Sequence, residues 1–227
     1  MLERCDISYH LRRAIISTYA TSESAVSSGT CENLWFETTT GVRQGSKLSP
    51  LLFIMYFDCV IKEVAGEQPS TGALAYADGI AQLDKSEGDL QQHLEMWHSC
   101  FNKYGLKLNL DKTEVIVLNR SKINTNIRLV NSRIRQVMSF KYLGSMVSEN
   151  GLIDVEINQR IKKYSQNVGF LYRLLKDKQV PTKAKKIIHT GILRPILLYG
   201  SETWNINKNN MSRITAADMK TVRMIMD

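Results

Sequence analysis

No stretch of this 227-residue chain is long and apolar enough to suggest a bilayer span. The longest apolar run, LLFIMYF from Leu51 to Phe57, falls far short of the roughly 20 residues a spanning helix needs. The opening MLERCDISYH carries charges where a secretory signal requires an apolar segment. No CxxC pair occurs, and the four cysteines (Cys5, Cys31, Cys59, Cys100) lie far apart, a pattern that predicts reduced thiols. Internal repeats and low-complexity tracts are missing as well. These absences predict a protein with no membrane partner and an intracellular location, nuclear or cytoplasmic.

What is present is enough to fold. With 43% hydrophobic residues, a chain of this length can bury a real core, as one large domain or as a domain with an appendage. Charge is unevenly placed. Residues 1–120 hold 11 Lys+Arg and 15 Asp+Glu, net −4; residues 121–227 hold 19 and 7, net +12. A basic back half of this kind suits a polyanion.

Periodicity separates the elements. Leu11, Ala14, Ile15 and Tyr19 predict a helix before about Thr21, and LWFETTTGV (Leu34 to Val42) predicts a strand. The loop RQGSKLSP follows, with Ser49 expected as N-cap and Pro50 at the first helical position of LLFIMYFDCVIKEV. Next, ALAYADGIAQL places Asp78-Gly79 between two apolar runs. This is a hairpin signal, because both central residues of such a turn take positive φ. Leu90, Leu94, Trp97 and Phe101 then mark an amphipathic helix from Ser86, closed by Gly105. On that helix His93, His98 and Cys100 have offsets that do not converge on a zinc ion.

KLNLDKTEVIVL alternates as a strand, with Asp111-Lys112 at its centre or at a turn, and IRLVNSRIRQVMSFKYLGSMVS reads as a second hairpin region. Beyond Ser148 to Asp154 the chain turns helical and basic. Val155, Ile161, Tyr164, Val168, Leu171 and Leu175 form an apolar stripe, with Arg160, Lys162, Lys163, Arg173 and Lys176 largely off it. A helix begun at Pro181 carries Lys183, Lys185 and Lys186 and continues into an apolar segment kinked at Pro195. A last amphipathic pattern starts near Met211. The order predicts an α+β fold, an antiparallel sheet with helices on one face, followed by a helical region.

Five of these stretches, taken in order, resemble the reverse transcriptases of non-LTR (LINE-type) retrotransposons. GVRQGSKLSPLLF resembles the family's Gln-Gly and Leu-Ser-Pro motif, and AYADG its YADD box with Gly79 in place of the second Asp. GLKLNLDKTEVIVL resembles the Asn and Lys-Thr segment that follows, FKYLGSMVSENG the primer grip, and LYGSETW a thumb signature. The resemblance implies a partial polymerase palm over residues 1–150 and a basic helical thumb over 151–227. It implies RNA-directed DNA polymerase chemistry with Mg²⁺, an RNA template, a DNA primer and deoxynucleotides.

By that resemblance Asp78 is a metal ligand and, with Lys112 as proton donor to pyrophosphate, a catalytic residue. Arg43, Gln44, Gly45 and Tyr76 line the nucleotide and template pocket. Phe140, Tyr142, Leu143 and Gly144 form the primer grip, while Arg160, Lys162, Lys163, Lys183, Lys185 and Lys186 meet the nucleic-acid backbone. Two-metal phosphoryl transfer needs several converging carboxylates. Here the box reads YADG, and the family's fingers and first metal-binding aspartate are expected upstream of Met1. The expectation is an impaired polymerase portion in which Asp78 occupies an Asp-Gly turn. A non-catalytic nucleic-acid-binding module is the alternative.

Overall fold

A computed structural model describes residues 2–5, 7–26, 34–66, 72–118 and 123–226. Along the chain, helix α1 (Tyr9–Ala20) precedes strands β1 (Glu23–Val26) and β2 (Leu34–Glu37), and α2 (Ser49–Ala65) precedes β3 (Gly72–Tyr76) and β4 (Gly79–Leu83). Helix α3 (Glu87–Lys103) is followed by short strands β5 (Glu114–Val115), β6 (Arg128–Leu129), β7 (Ser132–Arg133) and β8 (Arg135–Gln136). The longer ribbon β9 (Ser139–Tyr142) and β10 (Ser145–Ser148) comes next. Helices α4 (Asp154–Phe170), α5 (Tyr172–Lys176), α6 (Thr182–Ile188), α7 (Arg194–Leu198) and α8 (Lys208–Met226) finish the chain.

The architecture is mixed helix and strand, as the α+β expectation has it. Among the described residues every sheet is two-stranded, so helices cover ribbons here, not one broad sheet. Two compact units result: Met1–Asn109 with Ile127–Asn131, and Leu110–Asn126 with Ser132–Asp227.

The first unit is built on the two apolar helices predicted from the sequence. Phe57, Val60 and Val64 of α2 are buried against Trp97, Cys100 and Phe101 of α3, with Ala73 and Ile80 of the β3–β4 ribbon packed over them. Trp97 and Phe101 meet edge-on at 5.6 Å between ring centres, a favoured aromatic geometry. Ser86 caps α3, its hydroxyl accepting the Asp89 N–H at 3.1 Å. Ser49 behaves differently. The residue preceding α2 is Leu48, and Ser49 is already helical. Its hydroxyl donates to the Arg43 carbonyl at 2.6 Å, which fastens the loop to the helix instead of capping it. Strand β1 was not evident beforehand because Glu23-Ser24-Ala25-Val26 has little strand character of its own; its ladder to β2 holds it. The two polar histidines are local: His93 Nδ1 lies 2.8 Å from Asp84, and His98 bonds Asn102.

The second unit centres on α4, α7 and α8. Ile157, Tyr164, Val168, Leu175, Leu193, Leu197, Ile214 and Ile225 form its core. Between α6 and α7 the chain makes a π-helical turn, His189–Leu193, in which the Arg194 N–H reaches back to His189. Pro195 has no N–H to give and its ring crowds the carbonyl four residues back in a regular helix, a strain that a wider turn before it relieves. Tyr164 lies inside this core with its hydroxyl toward Asp218 and Thr221. Burial, reinforced by the Asp218 carboxylate and partly offset by Thr221 and Arg194, pushes its pKa up to about 12 from the usual 10.

A phenol with a raised native pKa contributes stability that is complete below pH 10 and declines as pH climbs toward 12. Melting temperatures recorded between pH 9 and 12 should therefore fall, and Tyr164→Phe should flatten the decline. An equally steep alkaline loss in Tyr164→Phe would rule this out.

Candidate nucleic-acid interface

In the first unit, the loop between β2 and α2 carries Arg43, Gln44 and Gly45. Gly45 has φ +84°, a left-handed conformation that Gly adopts freely. Gln44 is exposed. Arg43 is committed elsewhere: its guanidinium donates to Ser22 Oγ at 2.9 Å and to the Thr18 carbonyl at 3.0 Å, and lies over Tyr19. It ties the loop to α1 and the start of β1.

The β3–β4 hairpin corrects the expected turn. Tyr76 pairs with Gly79, so the two-residue loop is Ala77-Asp78, not Asp78-Gly79. Ala77 takes φ +50°, whereas Gly79 is an ordinary strand residue. A positive φ at the first loop position alone matches the II′ turn, where Gly is normal. Asp78 is exposed at the tip and Tyr76 is 66% exposed beside it. Nothing bonds either loop residue to the rest of the unit among the described residues.

In the second unit, Asp111 and Lys112 occupy a turn just before β5, and Lys112 is exposed. The β9–β10 hairpin has its own two-residue loop, Leu143-Gly144, with Tyr142 opposite Ser145. Here both loop residues have positive φ, +46° and +89°, the I′ turn. Phe140 and Tyr142 share one face, ring centres 6.3 Å apart.

The six cations expected at a phosphate backbone divide. Lys162, Lys183 and Lys186 are exposed and Lys163 half-buried, and none pairs with an acidic side chain among the described residues. Lys185 is buried and only 6% exposed. Arg160 is 5% exposed and bonded to Glu156, so its side chain faces inward, contrary to the periodicity reading that put it off the apolar stripe.

Residues 5–147 match the family described as reverse transcriptase (RNA-dependent DNA polymerase). The chain belongs to that family. Among its relatives is a putative 115 kDa protein in the type-1 retrotransposable element R1DM of Drosophila melanogaster, 27% identical over 204 residues, 85% of this chain and 18% of that protein. A probable RNA-directed DNA polymerase from transposon BS of the same fly is 27% identical over 201 residues, 82% of this chain and 22% of its own. A retrovirus-related Pol polyprotein from element R2 of Nasonia vitripennis is 27% identical over 174 residues, 69% and 17% respectively. The chain thus spans about a fifth of the length of these relatives. They agree with the LINE-type kinship read from the motifs. No solved structure matches the chain significantly.

Reverse transcriptases imply divalent metal, and the donor set can be tested for fit. Among the described residues no three His, Cys, Asp or Glu side chains come together. Asp78 stands at its tip with Gly79 where the family has a second carboxylate. Asp58, another carboxylate of the same unit, is bound to Lys62 at 2.7 Å on the surface of α2. One exposed carboxylate does not make the donor set that a pair of hard cations requires. No helix among the described residues is long and apolar enough to cross a membrane.

Two residues that sequence reasoning left without a role hold the β9–β10 hairpin. Glu156 accepts the Met146 N–H of β10, and Tyr199 donates to the Leu143 carbonyl of the loop. The advance signals were the i, i+4 spacing of Glu156 and Arg160 and the place of Tyr199 in LYGSETW.

Because Ala77 carries the positive φ, Ala77→Gly should stabilise the hairpin by on the order of 1 kcal/mol, raising the melting temperature by about 2–4 °C. Gly79→Asp meets no backbone strain, and an added Cβ would only touch the Tyr76 carbonyl at 3.4 Å. That variant should melt within about 0.5 kcal/mol of wild type. A destabilised Ala77→Gly, or a Gly79→Asp that loses far more, would contradict the loop geometry.

Proposed function

We propose that this chain is the portion of a retrotransposon reverse transcriptase that holds the RNA template and DNA primer, a palm part and a basic thumb part, and that alone it does not extend a primer. The observation that carries the reading is the group of unpaired cations on α4 and α6, Lys162, Lys163, Lys183 and Lys186, in a back half of net charge +12. Lysines free of acidic partners can each displace a counterion from a phosphate, and that release drives binding with little regard to sequence. Phe140 and Tyr142 offer neighbouring rings, and the exposed Leu143-Gly144 tip projects beside them, in keeping with a primer grip. In the other unit, Gln44, Gly45 and Tyr76 remain the template and nucleotide contacts of this proposal. Arg43 supports them by fixing their loop. Lys112 keeps its family role as proton donor only where a complete metal site exists.

A purely nucleic-acid-holding role, without polymerisation in any assembly, is the second reading. Gly79 favours it, since the chain itself lacks the second tip carboxylate.

Anisotropy titration of a labelled RNA–DNA primer–template should show affinity falling steeply with salt. Replacing Lys162, Lys163, Lys183 and Lys186 by Gln should reduce the log–log salt slope by up to about 4, roughly one per phosphate contact. Binding that ignores salt, or a four-fold variant that binds unchanged, would overturn the interface. Incubation with deoxynucleotides and Mg²⁺ or Mn²⁺ should give no extension. Template-dependent product that vanishes in Asp78→Ala would show that further carboxylates complete the site.

A further inference from the structure

The β9–β10 loop is held from outside its own ribbon, and the atoms that hold it form one connected cluster. Tyr199 Oη donates to the Leu143 carbonyl at 2.8 Å. Arg160 Nη2 donates to the Gly144 carbonyl at 2.6 Å, while its Nε bonds Glu156. The other carboxylate oxygen of Glu156 accepts the Met146 N–H at 2.7 Å. The Arg160 guanidinium lies over the Tyr199 ring, 4.6 Å from its centre. Loop backbone, strand backbone, α4 and the residue after α7 are thereby joined through two side chains that are almost fully buried, Glu156 at 2% and Arg160 at 5% exposure.

The loop has reason to need holding. Leu143 adopts φ +46° although it is not glycine, and such a conformation persists only where the surroundings fix it. Both loop carbonyls are fixed here. The fit is also steric. A Cβ on Gly144 would come within 3.1 Å of the Tyr199 ring, and one on Gly200 within 2.9 Å of Ser145 Oγ. The segments FKYLGS and LYGSETW therefore meet at their glycines.

The Ala77-Asp78 loop provides an internal contrast: it has the same length and a positive φ, yet no such clamp among the described residues. Holding a turn this firmly costs two desolvated charges, and a buried ion pair seldom returns that as net stability. Its better-attested gain is a single fixed geometry, which matters where a tip must meet a ligand in one register.

We propose that Arg160, Glu156 and Tyr199 are positioning residues that set the Leu143-Gly144 tip, with Phe140 and Tyr142 behind it, for contact with the primer–template backbone. This role rests on the proposed function above. None of the three touches nucleic acid; they act through the hairpin. Arg160 is irreplaceable by Lys in this arrangement, because a single ammonium lacks the planar fork that reaches Glu156 and the Gly144 carbonyl together and stacks on Tyr199.

The test compares wild type with Tyr199→Phe, which removes one O–H and keeps the ring, and with Arg160→Lys. Three readouts are taken on each full chain: melting temperature, hydrogen exchange by peptide, and affinity for an RNA–DNA primer–template at low salt. Tyr199→Phe should melt as wild type does, exchange up to about tenfold faster in the 139–148 peptide alone, and bind the duplex several-fold more weakly. Arg160→Lys should show the larger effect of the same kind. Unchanged exchange in 139–148 would overturn the clamp. Faster exchange with undiminished affinity would overturn the positioning role. Faster exchange everywhere together with a lowered melting temperature in Tyr199→Phe would reduce the cluster to ordinary packing and overturn it too. A wild type that holds no duplex would sink the proposed function and this role with it, whereas wild-type binding matched by both variants would sink the role alone.

Discussion

Two opposite charges inside a helical core, Glu156 and Arg160, decide how the basic half of this protein is organised. They are one turn apart on α4 and lie on the same face as Ile157 and Tyr164. Left unpartnered, either would be prohibitive at that depth. Each is satisfied by the other and by a backbone group of the β9–β10 ribbon, so the helix and the ribbon can be buried only together. That condition accounts for the unit in which the ribbon is found. It packs with the helices that follow it, although the composition of the chain changes only afterwards, near Ser148 to Asp154.

The same condition explains what could and could not be read in advance. Helices α2 and α3 were legible because an apolar face repeated at three to four residues has few other ways to hide from water. The ladder of β3 and β4 was legible from two apolar runs around a turn. The turn itself was placed one residue late, because Asp-Gly is the favourable pair for positive φ and the chain instead puts the strain on Ala77. Local preference lost to register: Tyr76 opposite Gly79 leaves only Ala77 and Asp78 to cross over. Ser49 was misjudged for a related reason. Its position before Pro50 looks like a cap, yet a loop carbonyl three-dimensionally near but six residues away, that of Arg43, claims its hydroxyl.

The site was harder to read than the fold. Family motifs pointed to particular segments, and in those segments Asp78, Tyr76 and Leu143 are exposed. Motifs do not say which side chains of a segment point outward. Arg43 and Arg160 both carry a charge suited to phosphate, and both spend it on the protein's own backbone carbonyls. Binary patterning assigns a charged residue to the outside by default; only a long-range partner reverses that. The Gly144 carbonyl is such a partner, and its approach is a property of the folded chain.

The π-helical turn at His189–Leu193 has a consequence for how this segment tolerates change in length. Such a turn contains one residue more than an α-helical turn, and each residue of a helix advances the facing direction by about 100°. The segment after it, including Leu197 in the core and the exit toward Tyr199, is phased by that extra residue. Lineages that lost one codon there would swing the aromatic ring away from the loop it steadies, while leaving each helix on either side individually sound. The insertion is thus a spacer in the angular sense, and the phase it sets is that of the tyrosine relative to the helix before the turn.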